Sequence, residues 1–72
     1  MSEFRPITDL EDLWVQNHGD ISLGYQAGLA GLPEPGNLFS RAYWHGWRNG
    51  RVNAGFQPED AAQAMLSPAH LI

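Results

Sequence analysis

GYQAGLAG, residues 24–31, sets three glycines inside a stretch whose other residues read as helix. Each glycine in a helix interior costs about 0.8–1 kcal/mol relative to alanine, so roughly 3 kcal/mol has to be offset elsewhere in the fold. Ile21, Tyr25, Leu29 and Leu32 recur at helical spacing, which predicts a helix over residues 21–31. On the same wheel Gly24, Gly28 and Gly31 stand beside that apolar stripe and not opposite it. Glycines so placed leave bare backbone facing a neighbouring element.

The neighbour is a second helix, read over residues 39–52 and capped by Asn37 or Ser40. At about 100° per residue, Phe39, Ala42, Tyr43, Gly46, Trp47 and Gly50 fall on one side of it. Both helices therefore carry aromatic residues next to glycines, and each can lay its rings against the exposed backbone of the other. An aromatic side chain buries roughly 150–250 Å² at about 25 cal/mol per Å², so seating Tyr25, Phe39, Tyr43 and Trp47 offsets the glycine cost. GLPEPGN between the helices holds two prolines and two glycines and reads as a loop.

Outside this pair, Thr8 followed by Glu11 has capping-box spacing, and Leu10, Leu13 and Trp14 predict a short first helix over residues 9–17. Gly19 suits the end of that helix and Asp20 the cap of the next. Pro58, Glu59 and Asp60 suit a helix start, and Ala61, Ala62, Met65 and Leu66 continue it before SPAHLI, a tail expected to fray. The expected fold is all-α in one domain: an acidic N-terminal helix over 1–19, a small hairpin of two closely packed glycine-rich helices over 20–52, and a short C-terminal helix and tail over 53–72.

Seventy-two residues support one small domain with a thin core, and without cysteine there is neither a disulfide nor a thiolate metal site to reinforce it. Partner binding or self-association, a homodimer included, is left as reinforcement. The acidic start has no secretion-signal pattern and no stretch approaches the roughly 20 apolar residues of a membrane span, so a cytoplasmic protein is expected. The net charge of −4 is divided unevenly, about a +3 block from Arg41, Arg48 and Arg51 within an otherwise acidic chain. His18, His45 and His70 are too scattered for a metal site, the serines lack a nucleophile context, and the carboxylates show no catalytic pairing. Neither an enzyme nor a cofactor is expected.

GYQAGLAG, a loop bearing proline and asparagine, and then AYWHGWRNG resemble the ribosome modulation factor family, small bacterial proteins. The likeness covers about half the chain: Gly24, Tyr25, Ala27, Gly28 and Gly31 match its first motif, and Gly46, Trp47 and Arg48 match its second. The resemblance implies a packed pair of helices, no catalysis, and binding to the small ribosomal subunit near the messenger exit, silencing ribosomes in slow-growing cells. Tyr43 stands where the family has its first tryptophan, GNLF replaces its usual loop element, and the family's basic N-terminus is acidic here.

With Phe39, Tyr43 and Trp47 turned inward, Arg41, Trp44, His45 and Arg48 are expected on the outer face, with Arg51 near its edge. Arginines around an exposed tryptophan suit phosphates and an unpaired base, and equally suit a protein interface. The expected function is non-enzymatic regulation of the ribosome or an RNA through this face. The alternative is a protein-binding adaptor or inhibitor that reuses the hairpin while its acidic N-terminal helix engages a basic partner. Asp9, Glu11 and Asp12 read either as a solvated, capped helix start or as a mask folded over the arginines.

Overall fold

The computed structural model describes residues 4–36 and 38–66, and within them the chain is all-helical: α1 (Leu10–Trp14), α2 (His18–Leu29), α3 (Arg41–Asn53) and α4 (Ala61–Leu66). The expected tail over 67–72, His70 and the Asn37 cap lie outside the described residues. Ser40 is the cap of α3, its hydroxyl accepting the Tyr43 N–H at 3.1 Å.

The first two helix starts differ from the sequence reading by a few residues. Asp9, not Thr8, caps α1 by accepting the Asp12 N–H at 2.8 Å. Asn17 caps α2 at the Asp20 N–H, which puts Gly19 inside the first turn and frees Asp20 to accept the Ser40 hydroxyl at 2.8 Å. A carboxylate or amide oxygen one position along serves the same orphan donors, so the side chain that reaches them decides the boundary.

The glycine reading holds in its main point. A Cβ on Gly24 would stand 1.9 Å from the Tyr43 carbonyl oxygen, and one on Gly28 would stand 2.2 Å from that of Trp47. Reciprocally, Gly46 meets the Ile21 oxygen at 1.9 Å and Gly50 meets that of Tyr25 at 2.2 Å. The Gly-xxx-Gly steps on both helices let two backbones approach as no side chain would permit. Each glycine then turns a Cα–H toward a carbonyl of the other helix, a contact worth about 0.5–1 kcal/mol.

The same contacts correct the topology. Ile21 lies against Gly46 and Tyr25 against Gly50, while Ser40 and Asp20 tie the two starts together, so α2 and α3 run in the same direction and do not form an antiparallel hairpin. Residues 30–36 return along the pair, with the Leu32 carbonyl accepting Trp47 Nε1–H at 2.8 Å and Glu34 Oε2 accepting Trp44 Nε1–H at 3.0 Å. Eleven residues can reach about 36 Å, well beyond the roughly 18 Å length of α2, so the connection allows either direction and the glycine register selects one.

Gly31 also has a different role from the one expected. It lies past the end of α2 at φ +76°, with its N–H on the Gly28 carbonyl and the Leu32 N–H on that of Ala27, the paired bonds of a Schellman ending. Gly55 ends α3 in the same way, at φ +84°.

One apolar cluster, Ile7, Leu13, Ile21, Ala42 and Leu66, draws the N-terminal segment and α4 onto the helix pair. A second joins Ala27, Trp44 and Trp47, with Phe4 and Tyr43 packed on it. Phe39, expected inside, is 47% exposed because it precedes the first turn of α3, where it stacks on Tyr43 with centroids 4.5 Å apart.

Candidate functional site

The face of α3 expected to point outward is covered. Trp44 is 6% exposed, His45 2% and Arg48 6%, whereas Arg41 and Arg51 are half-buried. The physical reason lies in the flanking segments. Ile7, Leu13 and Leu66 need apolar surface, and with α2 occupying the glycine side, the remaining sides of α3 supply it.

From the N-terminal side, Asp12 takes the Arg41 guanidinium through both carboxylate oxygens, at 2.9 and 2.6 Å, while Arg41 also donates to the carbonyls of Arg5 (2.8 Å) and Pro6 (3.3 Å). Those bonds hold the Asp12 carboxyl below the ordinary carboxylate range, against a smaller opposing effect of its partial burial. Asp9 thus caps its helix while Asp12 masks an arginine, so both readings of the acidic segment apply, each to a different residue. Phe4 lies over Trp44 with ring centroids 5.7 Å apart.

From the C-terminal side, Asp60 pairs with Arg48, whose guanidinium stands 4.6 Å from the Trp44 ring centroid. Burial pushes the Arg48 pKa down, and the Glu34 carboxylate opposes that shift. A buried polar chain follows: Gln63 donates to Asn49 Oδ1 at 3.0 Å, and Asn49 meets His45 Nε2 at 3.3 Å. Asn49 and Gln63 were not legible as a pair, because they lie on different helices and only the docking of α4 brings them together.

Arg51 lies between the Trp47 and Phe56 rings, 5.2 and 5.1 Å from their centroids, and donates to Gln57 Oε1 at 3.1 Å. The structure therefore does bring Arg41, Trp44, His45, Arg48 and Arg51 together with their neighbours, but as the interior and seams of the fold. Of the motif residues, Gly24, Ala27, Gly28, Gly46 and Trp47 are buried, and Tyr25 and Tyr43 are half-buried.

A shallow groove of about 240 Å³ is walled by Leu32, Pro33, Pro35, Phe39 and Tyr43. Among the described residues no group of three metal-ligating side chains converges, and no helix is long and apolar enough to cross a membrane. Comparison with protein-family models, curated proteins and solved structures finds no match to this chain.

Proposed function

We propose that this chain is a non-enzymatic protein-binding module, an adaptor or inhibitor that acts in the cytoplasm on a partner with a basic surface. The observation that carries this reading is the internal engagement of the three α3 arginines: Arg41 on Asp12, Arg48 on Asp60, and Arg51 between two rings. A chain of net charge −4 whose three α3 arginines already have partners offers a phosphate backbone little attraction and a cationic protein surface a good deal. Its acidic α1, with Glu11, Trp14 and Val15 exposed, supplies charge and an aromatic anchor of the kind that dominates protein interfaces.

Ribosome binding is the second reading, favoured by one observation. The motif residues that resemble ribosome modulation factor, Gly24, Gly28 and Gly46, are also the residues at the interhelical contact, so motif and packing coincide. On this reading contact with the small subunit runs through a basic ribosomal protein or through RNA.

The deciding experiment offers the folded chain naked ribosomal RNA and intact small subunits, each at about 50 and 200 mM salt. The protein-binding reading expects no retention of naked RNA. RNA retention that weakens with salt and is lost in Arg41→Ala would overturn it. Site-specific photocrosslinking beside Trp14, repeated in Glu11→Lys, then asks whether a captured partner depends on the acidic helix.

A further inference from the structure

We infer that His45 is a proton switch for α4: protonation of its ring releases α4 from α3 and uncovers the Arg48–Asn49 stretch. The device is internal to the fold and does not depend on which partner the surface takes.

The hydrogen-bond chain that ends on His45 has a fixed direction. Asp60 and Gln63 form a reciprocal cap at the start of α4, in which Asp60 Oδ1 accepts the Gln63 N–H at 2.9 Å and Gln63 Oε1 accepts the Asp60 N–H at 3.1 Å. A backbone N–H can only donate, so the Gln63 amide oxygen is committed there and its NH2 is left to donate to Asn49 Oδ1, at 3.0 Å. The Asn49 NH2 then points at His45 Nε2, 3.3 Å away, and Nε2 has to accept. His45 is therefore neutral while α4 is docked, with its ring hydrogen on Nδ1. Protonation would give Nε2 a hydrogen that faces the Asn49 NH2. Turning Asn49 over would set its NH2 against that of Gln63, and turning Gln63 over would set an NH2 against the Asp60 N–H. With His45, Asn49 and Gln63 all buried, the conflict is relieved only when Gln63 leaves.

The hold on α4 is light enough for one proton to matter. Of its six residues only Gln63 and Leu66 are buried, and Asp60 just before it pairs with Arg48. A helix this short does not persist alone, so release and loss of helix coincide. Charged groups around the stretch are already matched: Arg41 and Arg48 stand one turn to either side of His45 on α3, Asp12 from α1 takes the first, and Asp60 takes the second. Arg5 acts on Asp12, Glu34 from the returning loop accepts the Trp44 indole N–H and acts on Arg48, and Asp20 of α2 is bonded to Ser40. Between about pH 5 and 7.5 the carboxylates stay ionised and the arginines protonated, so among the described residues of this seam the histidine is the group that changes charge. The docked form binds one proton fewer than the released form. Docking is thus favoured above about pH 6.5 and weakens by up to about tenfold per pH unit below it.

The test is NMR of the full chain from about pH 7.5 to 5, following the histidine ring nitrogens and the Cα shifts of α4. The expected result is a His45 Nε2 without hydrogen at the upper pH, and on acidification a loss of helical shifts in α4 with the same midpoint as the His45 ring, while α2 and α3 stay helical. His45→Gln, whose Oε1 can accept from Asn49 at any pH, should keep α4 docked throughout, and His18→Gln and His70→Gln should leave the transition in place. A hydrogen on Nε2 at the upper pH, protonation of His45 with α4 still docked, or no transition in either group down to the lower pH would each defeat the switch. So would an α4 transition that persists in His45→Gln or disappears in His18→Gln or His70→Gln. Should His45→Gln fail to fold, the wild-type titration decides by itself.

Discussion

Gly46→Ala puts the interhelical seam to a direct test, because two effects of opposite sign meet at one atom. In an isolated helix the substitution stabilises by about 1 kcal/mol. Here the added Cβ would stand 1.9 Å from the Ile21 carbonyl oxygen, 2.8 Å from its carbon and 2.9 Å from the Tyr25 nitrogen. Ordinary contact begins at 3.4 Å, so the backbones must separate locally by about 1.5 Å, and no flexible side chain is there to yield. A gap of 0.5–1 Å already forfeits a quarter to a half of a dispersion contact, and overpacking a well-filled site costs about 1–3 kcal/mol, occasionally more. The upper part of that range applies, because the displaced atoms belong to a helix backbone, giving a net loss of about 1–2 kcal/mol after the propensity gain. A chain of this length is expected to have only about 4–11 kcal/mol of stability in all. Urea unfolding followed by far-UV circular dichroism should show the loss, and the melting temperature should fall by about 4 °C or more. Gly19→Ala is the comparison: it adds the same methyl to a helical glycine whose Cβ would meet only a side-chain atom, the Asn17 capping oxygen at 3.2 Å, and it should cost far less than Gly46→Ala. A Gly46→Ala protein as stable as Gly19→Ala would refute the close parallel packing of α2 and α3.

Other substitutions separate structural from binding roles. Arg48→Ala removes a guanidinium packed on Trp44 while leaving Asp60 half-exposed to water, so it should lower stability by about 1.5–3 kcal/mol in denaturant titration and leave RNA retention unchanged. Because the native Asp12 carboxyl is depressed, its contribution is present above the ordinary carboxylate range and is lost as pH falls through the native value; Asp12→Asn should flatten that acid limb, read as melting temperature against pH. Gly31→Ala and Gly55→Ala both force a left-handed residue at about 1–2 kcal/mol, but only at Gly31 does the Cβ also strike the Phe56 ring, at 2.9 Å. Thermal melts should therefore rank Gly31→Ala below Gly55→Ala, and the reverse order would count against the Phe56 placement.

Local signals in this sequence read well, and signals between segments read poorly, for a physical reason. Ile21, Tyr25, Tyr43 and Trp47 announced the inner faces of α2 and α3 because periodicity is a property of one helix at a time, whereas Leu29 and Leu32, read on the same stripe, are exposed near and beyond the end of α2. Gly24, Gly28, Gly46 and Gly50 could be paired as well, since a glycine cost of about 1 kcal/mol each points to close packing wherever it recurs at helical spacing. Helix direction was not legible: an eleven-residue connection tolerates both orientations, and only the register of four glycines against the carbonyls of Ile21, Tyr25, Tyr43 and Trp47 distinguishes them. The outer face of α3 was misjudged for a related reason. A helical wheel assigns Arg41, Trp44 and Arg48 to the side away from α2, but in so small a chain the side away from one neighbour still faces others. Ile7, Leu13 and Leu66 are too apolar to stay in water, and α2 alone cannot cover them. Once they dock on α3, Asp12 and Asp60 arrive with them and the arginines become internal partners. The sequence carried that hint in its charge pattern, a block of arginines between two acidic flanks. A cationic stretch bracketed by carboxylates on both sides is at least as well suited to neutralising itself as to capturing phosphate, and in a chain short enough for both flanks to reach the middle, the intramolecular pairing has the advantage of high effective concentration.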